Sequence, residues 1–112
     1  MNIGSYTLPS KVLLAPMAGT SDKPFRIICK EQGAALTTSE MVVMKKHLLN
    51  TNKSKHRLDF SSEQSPISIQ IAGSEADELA ESAKQALDFG ADIIDINMGC
   101  PAKKVCNKAA GS

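Results

Sequence analysis

Several common signatures are missing from this 112-residue chain. Charge of one sign is not in excess: thirteen Lys+Arg stand against twelve Asp+Glu, a formal net charge of +1, so bulk electrostatics announces neither a nucleic-acid nor a membrane partner. No apolar run approaches the ~20 residues that a bilayer-spanning helix needs, and the opening "MNIGSYTLPS" lacks a basic segment followed by a long apolar one. The expected location is cytoplasmic, with no membrane partner. Cysteine is sparse, and Cys29, Cys100 and Cys106 are an odd number at spacings unlike a disulfide framework or a CxxC zinc site. Reduced thiols and no metal are expected. No GxGxxG follows the first apolar segment, which argues against a dinucleotide-binding Rossmann unit, although a doubly wound sheet stays open.

What is present is an ordinary globular composition, 42% hydrophobic, enough for one small core and one domain at most. Four short apolar segments, 12–16, 35–38, 67–71 and 92–96, alternate with helical patterns and predict a parallel sheet with right-handed crossovers. The first helix is predicted over 22–32, with Ser21 or Thr20 as N-cap, Phe25, Ile28 and Cys29 on its core face, and Gly33 past its end. In the second crossover 42–49 reads as helical and 50–65 as a loop or a further short helix. The third helix has Ser74 and Asp77 as a capping box, a stripe of Leu79, Ala80, Ala83 and Leu87, and Gly90 at its close. Before the first strand, "MNIGSYTLP" suits a small hairpin around Gly4-Ser5, capping the bottom of a barrel or covering a sheet edge. The strand starts are 23, 32 and 25 residues apart, and eight such units make the roughly 250 residues of a β/α barrel. The expected fold is therefore α/β, the first half of a TIM-type (β/α)8 barrel of about four βα units, truncated where another helix should begin.

Charge is uneven along the chain. Lys45, Lys46, His47, Lys53, Lys55, His56 and Arg57 form a run without an acid, either a solvated loop or a local basic patch. Glu75, Asp77, Glu78 and Glu81 crowd the first turns of the third helix, where the helix dipole favours them and no functional explanation is needed.

In such folds chemistry collects at the carboxyl ends of the strands. Those ends read Ala15-Pro16-Met17-Ala18-Gly19, Ser39-Glu40-Met41, Gln70, and Asn97 to Cys100. Strict alternation in "PISIQIAG" puts Ile67, Ile69 and Ile71 on one face and Ser68 and Gln70 on the other, so Gln70 points into the barrel. A buried amide needs partners, either neighbouring backbone or the edge of a heteroaromatic ligand. In "DIIDIN" the same alternation aims Asn97 at the space of Gln70, with Asp95 one pleat deeper, placed to fix the geometry of its neighbours. The "APMAG" turn is small and stiff, either a plain strand-to-helix loop or a surface that a flat ligand can approach. Cys100 stands between Gly99 and Pro101 on a turn. With an ordinary thiol pKa near ~8.5 it can donate a proton at neutral pH or, if perturbed, attack as a thiolate. No histidine is near it in sequence.

Taken together, "LLAPMAGTSDKPFR", "TSEM", "QIAGS" and "DINMGCPAKKV" resemble the tRNA-dihydrouridine synthases, closest to the bacterial B-type branch, from Asn2 to Ser112. "DINMGCPAKKV" is highly specific, whereas "APMAG" is shared with other flavin barrels. The resemblance implies that 1–112 is the N-terminal half of an FMN-binding β/α barrel, lacking the C-terminal half-barrel and the helical tRNA-binding domain. It implies reduction of uridine to 5,6-dihydrouridine in tRNA with NADPH as electron donor. Pro16, Met17 and Ala18 would line the flavin, Gln70 would hydrogen-bond its edge, Asn97 would hold the uracil, and Cys100 would be the general acid at C5. The basic run from Lys45 to Arg57, with Lys103 and Lys104, would offer phosphate contacts. Two other functions compete: a flavin-dependent dihydroorotate or dihydropyrimidine dehydrogenase, and a non-catalytic RNA-binding fragment. A metal or redox-sensor role for Cys100 and Cys106 ranks last.

Overall fold

The computed structural model describes residues 1–41 and 52–99, the side chains of Lys53 and Ser54 excepted. The chain opens with an antiparallel hairpin, β1 (Asn2–Ile3) and β2 (Tyr6–Thr7), turning at Gly4-Ser5 as the sequence predicts. Gly4 takes φ +56°, left-handed backbone that glycine adopts without a Cβ penalty. Leu8, just beyond, is buried with Ala35 and Leu36, and Ile3 and Ile93 pack on the same cluster. The hairpin thus covers the end of the sheet where the strands begin.

Four parallel strands follow, β3 (Leu13–Leu14), β4 (Leu36–Thr37), β5 (Ser68–Ile71) and β6 (Ile93–Ile96). Leu13 lies opposite Leu36, a single parallel bridge joins Thr38 to Ser68, and Gln70 lies opposite Asp95. Neighbours in space are therefore neighbours in sequence, the order that consecutive βα units produce. The result is α/β, and no barrel is closed among the described residues.

The helices are α1 (Lys23–Glu31), α2 (Asn52–Arg57) and α3 (Ala76–Asp88). The helix expected over 42–49 lies outside the described residues; the short helix allowed within 50–65 is α2. Ile69 and Ile71 face outward into a core with Leu58, Phe60, Ala86 and Ala91, while Leu79, Ala83 and Ile94 pack at its margin. Each isoleucine so buried contributes about 1.5–3 kcal/mol, and the alternation leaves Ser68 and Gln70 for the opposite face. At Gly73 a Cβ would lie 3.1 Å from Leu79 Cγ, so glycine is what lets the strand-to-helix turn close over α3.

Four details differ from expectation. The N-cap of α1 is Asp22, whose Oδ1 accepts the Phe25 N–H at 3.1 Å, because Ser21 is turned the other way to hold the preceding loop. Ile28 is 55% exposed, and the buried residue of α1 is Arg26, about 200° around the helix from it. In α3 the N-cap is Glu75, with no side-chain cap bond in place of the capping box. Its inward face carries Leu79, Ser82, Ala83 and Ala86, and Leu87 stays 57% exposed. Small residues at 82, 83 and 86 suit close approach to the sheet, which turns the larger Leu87 outward.

Arg26 is 1% exposed. Its Nε and Nη2 donate to the Glu63 carboxylate at 3.2 and 2.5 Å, Nη1 donates to Ser21 O at 3.0 Å, and Nη2 also reaches Asp59 O at 3.4 Å. The guanidinium lies 5.0 Å from the Phe60 ring centre. Nearby, Lys23 Nζ pairs with Asp59 at 3.0 Å, and hydrogen bonds from Ser61 and Lys23 hold the Asp59 carboxyl down at about 2. The α1 helix is therefore fastened to the segment leading into β5 through charge rather than through apolar packing.

Breaking one side of a buried ion pair leaves an uncompensated charge, at a cost of about 3–5 kcal/mol. Arg26→Ala should show that loss in chemical denaturation of the full chain, and the double change Arg26→Met, Glu63→Leu should recover most of it.

At the base of the sheet Asp92 accepts hydrogen bonds from Tyr6 Oη at 3.0 Å, Ser65 Oγ at 2.7 Å and Ile67 N at 2.7 Å. The bonds from Ser65 and Ile67 hold its carboxyl below the usual carboxylate range, and the bond to Asp92 lifts the Tyr6 phenol above its ordinary value. A lowered carboxyl stabilises the fold above its unfolded-state pKa and loses that contribution as the pH falls through the folded value. A raised phenol contributes below its unfolded value and loses it as the pH rises through the folded one. Denaturant midpoints should fall in acid for the native sequence and fall less for Asp92→Asn; an identical acid limb would remove Asp92 from this role.

Candidate active site

Every strand end contributes to one surface. After β3 the chain turns through Pro16 to Thr20, and this turn is tied down from behind. Met17 N donates to Ser21 Oγ at 2.8 Å, Ser21 Oγ donates to Met17 O at 3.1 Å, and Thr20 N and Ser21 N both reach Met17 O. Ser21 is fully buried and its own carbonyl is the one that Arg26 holds, so the buried ion pair reaches the turn through one residue.

After β4, Glu40 supplies a two-point brace. Its Oε2 accepts the Gly19 N–H at 2.6 Å and its Oε1 meets Arg57 Nε at 2.9 Å, linking the Pro16 turn to α2. Ser39, also fully buried, accepts the Gln70 N–H on its hydroxyl at 3.2 Å and donates its own N–H to Ser68 O at 3.0 Å. One pleat lower, Thr38 Oγ1 donates to Ser68 Oγ at 3.0 Å. Polar side chains thus satisfy one another along the concave side of the strands.

The centre is an amide pair. Gln70 Nε2 donates to Asp95 Oδ2 at 2.5 Å, and Asn97 Nδ2 donates to Gln70 Oε1 at 3.3 Å and to Met41 Sδ at 3.6 Å. Asn97 Oδ1 in turn accepts the Gly99 N–H at 3.2 Å, and Asn97 N donates to Ile71 O at 2.9 Å, carrying the β5–β6 ladder one residue further. Asp95 does fix its neighbour, as its position in the strand suggests.

These groups line an open cleft of about 350 Å³ whose walls are Pro16, Ala18, Met41, Gln70, Ile96, Asn97, Met98 and Gly99. Of the residues singled out in the sequence, Pro16, Ala18, Gln70 and Asn97 are brought together here. Met17 is not on the lining; its backbone serves the Ser21 bonds and the residue is 39% exposed. Cys100, Lys103, Lys104 and Cys106 lie outside the described residues, as do Lys45, Lys46 and His47 of the basic run that extends to Arg57, and the side chain of Lys53. Within α2, Lys55 and His56 are exposed, while Arg57 is committed to Glu40. Cys29 is half-buried and free, and no cluster of three or more metal-ligating side chains exists among the described residues. Nor is any described helix long and apolar enough to cross a membrane.

Chemically, the cleft combines flat apolar walls with two carboxamides, the combination that suits a planar heteroaromatic group presenting donors and acceptors along one edge. A carboxamide has two N–H groups and two oxygen lone pairs. Gln70 uses one of each within the protein. Glu40, Ser39 and Ser21 are supports that sequence reasoning did not single out as such; the signal available for Glu40 was an acid at a strand end with no cation a helical turn away.

Residues 13–112 match the family model described as dihydrouridine synthase (Dus). The chain belongs to the dihydrouridine synthase family. Over all 112 residues it is 58% identical to the tRNA-dihydrouridine synthase B of Xanthomonas campestris, 55% to that of Pseudomonas aeruginosa and 48% to that of Escherichia coli. It covers 34%, 34% and 35% of those proteins. The chain therefore spans about a third of the length of the curated relatives it matches. The resemblance drawn from the motifs, including the likeness to the B-type branch, is thus shown. All residues lining the cleft fall within the part that matches the dihydrouridine synthase family.

Removing the Glu40 carboxylate, itself buried at 5% exposure, takes away the acceptor of the Gly19 N–H and unpairs Arg57. Glu40→Ala should lower stability by about 1–3 kcal/mol, read from denaturant midpoints; a shift indistinguishable from that of an exposed control such as Glu81→Ala would mean the brace is idle.

Proposed function

We propose that this chain forms the N-terminal half of the FMN-binding barrel of a cytoplasmic enzyme that reduces uridine to 5,6-dihydrouridine in tRNA, with NADPH as electron donor. The remaining half-barrel and a helical tRNA-binding domain would be supplied by further sequence, in keeping with relatives about three times as long. The observation that carries the reading is the Gln70–Asn97 amide pair facing a cleft walled by Pro16 and Ala18, in a chain that matches the dihydrouridine synthase family.

The residues present fit a flavin. Pro16 and Ala18, with Met17 between them, offer a flat wall without large side chains at the lining positions, and Gln70 retains an N–H and a lone pair for the polar edge of the ring. When bound, the flavin supplies a hydride to the uracil C6 and is restored by NADPH. Protein side chains take the rest of the work. Asn97 holds the uracil through its amide, and Cys100 donates a proton to C5, where saturation of the C5=C6 bond leaves electron density. A neutral thiol suits that step, because it carries the proton that C5 must receive. The target base must leave its stack to reach the cleft, and the open mouth accommodates that requirement. Exposed Lys55 and His56, together with Lys45, Lys46, Lys103 and Lys104, would meet tRNA phosphates.

The test is made on the full-length protein. It should hold FMN, and its reduced form should be oxidised by unmodified tRNA and not by free pyrimidines. Cys100→Ala should slow dihydrouridine formation by about 10²–10⁴-fold with tRNA binding retained. Turnover restricted to free bases would replace this reading with the dihydroorotate or dihydropyrimidine dehydrogenase one. Salt-sensitive tRNA binding without any FMN would favour the non-catalytic RNA-binding role.

A further inference from the structure

We infer that Asp95 is a positioning residue for the flavin: its carboxylate sets which face of the Gln70 amide is presented to the cleft, and through Gln70 it orients Asn97. The inference rests on the flavin reading above and adds to it a residue outside the cleft lining.

A glutamine amide can sit either way round, and the two orientations exchange a donor for an acceptor. In an otherwise neutral site the orientations differ little in energy. An ionised carboxylate breaks the tie, because it accepts hydrogen bonds and cannot donate them. Asp95 and Gln70 are direct cross-strand partners on β6 and β5, and Gln70 Nε2 donates to Asp95 Oδ2, a hydrogen bond to a carboxylate acceptor. With Nε2 committed to Asp95, Oε1 is left to face Asn97, whose Nδ2 donates to it at 3.3 Å. Asn97 then keeps its own oxygen for the Gly99 N–H at 3.2 Å. The chain of bonds therefore has one direction, from the carboxylate through two amides to the backbone beside Cys100. Reversing Gln70 would set its oxygen against a carboxylate and its NH2 against the NH2 of Asn97.

Gln70 itself is 8% exposed, so an incorrectly turned amide is not rescued by bulk water. The charge has a second effect. A carboxylate one hydrogen bond from the cleft opposes further negative charge there, and so favours oxidised over reduced flavin.

The experiment uses full-length protein with FMN as the probe. Asp95→Asn keeps the shape of the side chain and removes both its charge and its obligation to accept. Asp95→Ala removes the shape as well. FMN affinity should weaken roughly tenfold in both variants, as expected for loss of a charge-assisted bond, and the reduction potential of bound FMN should move upward in both. If Asp95→Asn behaves as the native protein while Asp95→Ala does not, Asp95 acts by packing and the inference is overturned. A measurement on native, FMN-free protein stands apart from the cofactor and from any variant. In the side-chain amide spectrum, one Nε2 proton of Gln70 should be shifted downfield and exchange more slowly than those of the exposed Gln32. Gln70 protons that match Gln32 would overturn the inference even if FMN binds. A protein that shows the shifted proton but takes up no FMN would refute the flavin reading and leave the Asp95–Gln70 orientation standing.

Discussion

The buried Arg26–Glu63 pair is the constraint on which the upper half of the molecule depends. A guanidinium at 1% exposure can exist there only because four of its N–H groups find acceptors. Satisfying them fixes three segments at once: α1, which carries the arginine; the stretch from Asp59 to Glu63, which leads into β5; and Ser21, which holds the Pro16 turn. An apolar side chain at 26 would bury comparable area but would impose no direction on Ser21 O or on Glu63. The cleft wall is therefore placed by hydrogen-bond geometry, with hydrophobic burial behind it in the Ile69 and Ile71 core.

The same logic runs along the concave side of the strands. Thr38 and Ser68 occupy inward positions where an ordinary barrel core would be aliphatic and their hydroxyls bond one another, while the Ser39 hydroxyl accepts the backbone N–H of Gln70. Short polar side chains leave room above them, and Gln70 and Asn97 fill that room with amides. Among the described residues, the carboxylates beside this cleft are those of Glu40 and Asp95, both engaged by donors from neighbouring segments, Glu40 by Arg57 among them. Such a surface suits the donor-and-acceptor edge of a planar heteroaromatic ring.

How much was legible in the sequence depends on the range of the interaction. The period-2 alternation of "PISIQIAG" and "DIIDIN" was enough to send Ile69 and Ile71 outward and Gln70 and Asn97 inward, because side-chain direction in a strand is a local property. The Gly4 turn and the end of α3 before Gly90 were legible for the same reason. The face of α1 was not. Phe25, Ile28 and Cys29 make a plausible apolar stripe, but the helix is oriented by an ion pair with a residue 37 positions away, and no local pattern encodes that partner. The N-caps failed for a related reason. Ser21 was available as a cap until the Pro16 turn claimed its hydroxyl, and Asp22 took the position. Glu40 and Arg57 likewise meet across a connection whose geometry the sequence leaves unspecified.

The two aspartates of "DIID" show how closely stability and site are joined. Asp92 sits at the start of β6, where its backbone N–H and that of Ile93 donate to Ile67 O while its carboxylate receives the Ile67 N–H. Those bonds pin β6 to β5 in one register. Three residues on, that register sets Asp95 opposite Gln70. A slip of one residue would present the isoleucine next to Asp95 to Gln70 and turn the carboxylate to the helix side, burying an unpaired charge in the Ile69–Ala86 core. The register is thus guarded at both ends by the same residue type for different reasons, hydrogen-bond satisfaction at the base and amide orientation at the top. A site assembled from strand ends inherits its precision from the pairing below it, and here that pairing is fixed by polar bonds before the cleft is reached.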